Sequence, residues 1–197
     1  MKLRVSWCLA VLALASGCGK EERREAVGLY NVLAENRPAF AVSNELEKDL
    51  VGSVRSWCEF ITANGAGPGA QLNQNVRVAR DLAKSTADVS ARVGLVRQAV
   101  YNQTIQKEFP QGVRNTLIGQ LTRRQRFLQE MRAALEDSAK GFESLKQSRD
   151  YKGDTYPNAI DKLSQMLQSY KAPGDAVAEA VGALTSKYSI PDAVAGT

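Results

Sequence analysis

Apolar residues recur along this chain at intervals of three and four, which is the spacing of one face of an α-helix and not the alternation of a half-buried strand. Ala39, Val42, Leu46, Leu50, Val54, Trp57 and Ile61 form the first clear stripe. A weaker one at Val27, Tyr30 and Leu33 precedes it, with a bend expected at Asn36-Arg37-Pro38. The second stripe runs through Leu72, Val76, Ala79, Ala83, Thr86, Val89, Val93, Val96 and Val100, then thins over Asn102-Gln103-Thr104 before Ile105 and Phe109. The third is the most regular. In Leu117, Leu121, Arg124, Leu128, Met131, Leu135, Ser138, Phe142 and Leu145 the steps of four and three alternate without a slip, a heptad that favours coiled-coil-like packing.

Breaks fall where glycine and proline cluster. The stretch 64–70 holds three glycines and a proline, Phe109-Pro110-Gln111-Gly112 reads as a turn or a sharp kink between the second and third stripes, and 150–157 is a polar break with Thr155 placed to cap. A fourth stripe at Ile160, Leu163, Leu167 and Tyr170 follows, and Ala172-Pro173-Gly174-Asp175 turns into a last helix with Val177, Val181, Leu184 and Tyr188. The predicted fold is all-α: an elongated antiparallel helical bundle of four to five helices with a long central hairpin.

The first residues obey a different rule. Lys2 and Arg4 precede an apolar run at 5–15, and Ala15-Ser16-Gly17-Cys18 closes it with small residues before a cysteine. The run is too short to span a bilayer, which needs about 20 apolar residues, and reads as a secretory signal. Its end resembles the lipobox of bacterial lipoprotein precursors. The resemblance implies removal of 1–17, lipidation of Cys18 as the first mature residue, and, with Gly19 rather than Asp next to it, an outer-membrane anchor facing the periplasm. Cleavage after Ala15 is the alternative, and would leave Cys18 a free thiol on a soluble periplasmic or secreted protein. The expected organisation is a leader at 1–17, a charged tether at 18–25, a helical bundle at 26–191 and a tail at 192–197.

Composition narrows the chemistry. The chain of 197 residues has three cysteines and no histidine. Without imidazole there is no His-ligated zinc, no His-bound haem and no Ser-His or Cys-His nucleophile. Cys8 leaves with the leader and Cys18 takes the lipid, so Cys58 remains alone, expected as a buried, inert thiol beside Trp57. No catalytic residue, metal or cofactor is predicted, and the protein is not expected to be an enzyme; the alternative is one that works without histidine. Nucleic acid is not expected either, since no reading motif is present.

Charge is distributed unevenly. Residues 71–129 carry a net +7, while 18–70 and 130–197 carry −2 each. Within the acid-free stretch 109–129, Arg114, Arg123, Arg124 and Arg126 form a candidate anion-binding face, because arginine forks suit phosphate and carboxylate groups. Arg124 stands at a core position of the heptad, so it must either reach solvent or meet a carboxylate from another helix. The expected partners are the membrane, through the N-terminal lipid, and envelope proteins. An anionic envelope component such as a lipid headgroup, lipopolysaccharide or wall polymer is the alternative. The oligomeric state is left open.

Overall fold

Proline and glycine set the ends of the elements, though not always at the expected residue. The computed structural model describes residues 5–67, 69–147 and 155–190, with side chains from residue 19 onward except Thr155. Five helices are present among them: α1 (Val5–Asn64), α2 (Gly69–Tyr101), α3 (Glu108–Gln147), α4 (Thr155–Ser169) and α5 (Ala176–Tyr188). The described residues contain no strand, and the predicted all-α helical bundle is what forms. The leader's side chains, Cys18, most of the 150–157 break, the Thr155 cap and the 192–197 tail lie outside the described residues or side chains.

Gly65 ends α1. Its φ of 68° is in the left-handed region that a side chain resists, and its N–H donates to the Ile61 carbonyl at 2.8 Å. Asp175 starts α5 by accepting from the Ala178 N–H at 2.8 Å, and Ser189 ends it in a left-handed conformation. At 36–38, where a bend is expected, α1 is one continuous helix. The helix continues through Pro38, which withholds one N–H from the Ala34 carbonyl. The turn expected at 109–112 lies earlier, at 102–107, and Pro110 sits in the first turn of α3, where no acceptor waits for the missing N–H.

Packing divides the chain into two units, one of residues 1–38, 96–120 and 175–197 and the other of 39–95 and 121–174. In the first unit, Ala26, Leu29, Leu33, Val100, Leu117, Val177 and Leu184 are buried together with Tyr30. The side chain of Arg114 closes the end of α2 by donating to the carbonyls of Val100 at 3.2 Å and Tyr101 at 2.5 Å.

In the second unit four helical stretches alternate in direction. Arg80 pairs with Glu143 and Gly94 approaches Gln125, so α2 runs antiparallel to α3. Trp57 meets Phe142 while Glu47 meets Arg124, so α1 and α3 are parallel. Tyr156 stacks on Phe142 and Tyr170 on Phe127, so α4 is antiparallel again. Up-and-down connection lets each apolar stripe face its neighbours. Along their whole length, which runs through both units, the stripe of α2 is buried at all nine predicted positions, and that of α3 at Leu117, Leu121, Leu128, Met131, Leu135, Ser138 and Phe142.

α3 and α4 pack tightly at Gly141, where an added Cβ would come within 2.7 Å of the Tyr156 backbone nitrogen. Gly52 on α1 has nothing within 4 Å of that position. Helix propensity alone favours alanine at both by about 1 kcal/mol. Gly52→Ala is therefore expected to stabilise, whereas Gly141→Ala is expected to destabilise by about 1–3 kcal/mol because the backbones must separate. Urea denaturation of the two variants reads the opposite signs.

Candidate functional site

The largest concentration of buried polar groups lies in the second unit, between α1, α3 and the chain just after α4. Arg124 is the charge that the heptad of α3 points inward. Its side chain is 8% exposed and it meets Glu47 of α1, 2% exposed, through its Nε. Its Nη1 donates to Asn44 Oδ1 at 2.5 Å and its Nη2 to the Ser43 carbonyl at 3.0 Å. The other Glu47 oxygen accepts from the Tyr170 hydroxyl at 3.2 Å. Phe40 lies under the guanidinium, 4.9 Å from its centre, and Phe127 stacks on Tyr170.

Each partner is placed by helical spacing. Phe40, Ser43, Asn44 and Glu47 stand at i, i+3, i+4 and i+7 on α1, one continuous face. That face continues into Leu50, Val51, Val54, Trp57, Cys58 and Ile61, all buried. The predicted stripe of α1 is thus correct from Leu50 onward and rotated by one residue before it. Ala39 is exposed, and Val42 and Leu46 are 51% and 40% exposed. The reason is electrostatic: leaving Arg124 unpaired in the core costs more than exposing two aliphatic side chains, each worth about 2 kcal/mol when buried. Burial and the nearby Glu47 carboxylate push the Tyr170 phenol above its usual range, so it remains a donor to Glu47 at neutral pH.

The four arginines of the candidate anion-binding face do not share one role. Arg124 donates to internal acceptors from all three of its nitrogens. Arg114 belongs to the first unit, where it caps α2 and stacks over Tyr101 at 5.5 Å. Arg126 is exposed and pairs along its own helix with Glu130 at 3.0 Å. Arg123 is exposed on the surface of α3. Comparison with protein-family models, curated proteins and solved structures finds no match.

Two surface grooves accompany these features. One, of about 710 Å³, lies between α1 and α4 and is lined by Arg55, Glu59, Thr62, Asp161 and Ser164, with Cys58 at its base. Burial, then the Glu59 carboxylate, pushes the Cys58 thiol up to about 12, so it is protonated and unreactive at neutral pH. The other, of about 690 Å³, lies in the first unit between α3 and α5, over Phe109, Val113, Leu117, Ala180 and Ala183. The described residues hold no cluster of three or more His, Cys, Asp or Glu placed for a metal ion.

The sequence signal for the Arg124 partner was present in the register of α1. Of that helix's acids near the stripe, Glu47 alone stands at i−3, i−4 and i−7 from Leu50, Val51 and Val54. Removing one member should reveal the cost of the unpaired charge. Glu47→Gln is expected to destabilise by about 3–5 kcal/mol, and the double variant Glu47→Leu with Arg124→Leu by at least 1 kcal/mol less, roughly the desolvation recovered. Denaturation midpoints of the single and double variants check this; equal losses for both would mean that the pair is not what the core accommodates.

Proposed function

We propose that this chain is a lipid-anchored envelope protein, held through Cys18 to the periplasmic face of the outer membrane, whose helical bundle is a protein-interaction or scaffold module. The observation that supports an interaction role most directly is the outward face of α1. Val42, Leu46 and Phe60 are 51%, 40% and 44% exposed. Positions 42 and 60 are separated by five full helical turns, so these side chains stand along one line of the helix. Between them on that line lie Asp49, Ser53 and Ser56, short side chains that leave the aliphatic groups accessible. Scattered exposed leucines mean little, but an aligned set, of which Val42 and Leu46 are exposed because polar groups turn inward, suits a partner's apolar surface.

The anchor part of the reading rests on the lipobox resemblance of residues 15–18. None of the described helices is long and apolar enough to cross a membrane. An anion-binding role for 109–129 finds less support, because Arg124 and Arg114 already have internal acceptors.

Two measurements separate the halves of the proposal. Labelled fatty acid fed to expressing cells is expected to appear on the wild-type chain and to vanish with Cys18→Ala. Photo-crosslinking groups placed at 42, 46 and 60 are expected to capture a specific envelope protein, and Val42→Lys with Leu46→Lys to abolish the capture while shifting stability by no more than about 0.5 kcal/mol. Loss of stability above about 2 kcal/mol would show those side chains to be core, and capture unaffected by the lysines would remove α1 as the contact.

A further inference from the structure

The stretch expected as a tether, Lys20-Glu21-Glu22-Arg23-Arg24-Glu25, is helical and belongs to α1. At 100° per residue it sorts its charges: Lys20, Arg23 and Arg24 stand at i, i+3 and i+4 on one side, and Glu21, Glu22 and Glu25 fall on the other.

The acids are engaged by the rest of the first unit. Glu21 pairs with Lys107 at 2.8 Å. Glu22 accepts from the Tyr188 hydroxyl at 2.6 Å and from Lys187 at 3.2 Å. Glu25 accepts the N–H groups of Gln106 at 3.0 Å and Lys107 at 2.8 Å, the two residues that lead into α3, so a carboxylate from another element sits at that helix's N-terminus. Lys107 holds the Glu21 carboxyl below its ordinary value, and Tyr188 and then Lys187 do the same for Glu22. Glu21 and Glu22 are therefore ionised at neutral pH, and all three acids are turned toward the protein. Their hydrogen-bonding partners lie on other segments, although the Arg24 charge also helps to lower the Glu21 carboxyl.

Lys20, Arg23 and Arg24 are all exposed. We infer that Lys20, Arg23 and Arg24 form a docking surface for anionic phospholipid headgroups, which orients the first unit against the leaflet that holds the chain. The inference builds on the proposed anchoring at Cys18, two residues before Lys20. Charge complementarity selects the occupant: three exposed cations, on the side of α1 away from the engaged acids, beside the proposed point of lipid attachment. A juxtamembrane basic cluster gains about fivefold in affinity per cation at an anionic surface, and the gain is screened by salt. A multiply acylated cysteine supplies anchorage by itself, so the cations add orientation and a preference for anionic lipid.

The test uses the mature chain from residue 18 with Cys18→Ser, which retains all of the packing described above, all of it within residues 21–190. Its binding is measured to vesicles of phosphatidylcholine, with or without a third of phosphatidylglycerol. Binding is expected only to the anionic vesicles and to fall with added salt. Lys20→Gln with Arg23→Gln and Arg24→Gln is expected to weaken it by about a hundredfold at low salt. The same loss of charge from the exposed cations of α2, as Arg77→Gln with Lys84→Gln and Arg92→Gln, is expected to weaken it by less than about fivefold. Equal weakening by both triple variants, or no binding of the starting chain to anionic vesicles, would overturn the inference. Fatty-acid labelling of the wild-type chain reports separately on the anchor: absence of label with vesicle binding retained would remove the anchor and leave the docking surface standing.

Discussion

A charged side chain that faces the core must find its counter-ion, and in this protein that requirement organises a whole unit. Arg124 lies in an otherwise apolar heptad, and the acceptors it needs are supplied by Ser43, Asn44 and Glu47 of α1, with Tyr170 satisfying the second oxygen of Glu47. The guanidinium fork has donors in fixed directions. It therefore fixes both the rotation of α1 about its axis and the longitudinal position of α1 against α3. Tyr170 extends the same constraint to the end of α4. Apolar side chains alone tolerate a slip of one turn; this network does not. Its value lies less in net stability, which a hydrophobic replacement could match, than in choosing one register over its neighbours.

The surface follows from the same choice. Turning Glu47 inward turns Val42 and Leu46 outward, so the face proposed for partner contact is a by-product of charge pairing in the core. In the first unit ionic contacts act differently. There Glu21, Glu22 and Glu25 lie near the surface and join α1 to the start of α3 and the end of α5. Individually such exposed pairs contribute little, but three within five residues hold the segment in one orientation. Opposite faces of one short stretch thus take separate roles, acids toward the protein and bases toward solvent.

Much of this was legible in the chain itself. The stripes of α2 and α3 are so regular that periodicity alone gives their buried faces, and the expectation of a buried Cys58 followed from its place beside Trp57, on the shoulder of the stripe with Val51, Val54 and Ile61. The demand of Arg124 for a carboxylate from another helix was also readable. What periodicity misplaced was the first half of the α1 stripe, since Ala39, Val42 and Leu46 continue the apolar line more smoothly than Phe40, Ser43, Asn44 and Glu47. Hydrophobicity ranks residues one at a time, whereas the winning face is set by a partner about 80 positions away. The connection between α2 and α3 was displaced for a local reason: proline reads as a breaker, but in the first turn of a helix it is accommodated, and Glu25 places a carboxylate at that helix's N-terminus from a distant segment.

The central claim is that α1 presents Glu47 and not Leu46 to the core. Thiol labelling measures this directly, in a chain with Cys8 and Cys18 replaced by serine so that Cys58 is the protected internal reference. Cysteines introduced singly at 42 and 46 are predicted to react at nearly the rate of a free thiol, and one at 43 to remain as protected as Cys58. Protection at 42 and 46 with rapid labelling at 43 would place the apolar stripe in the core after all and contradict the account.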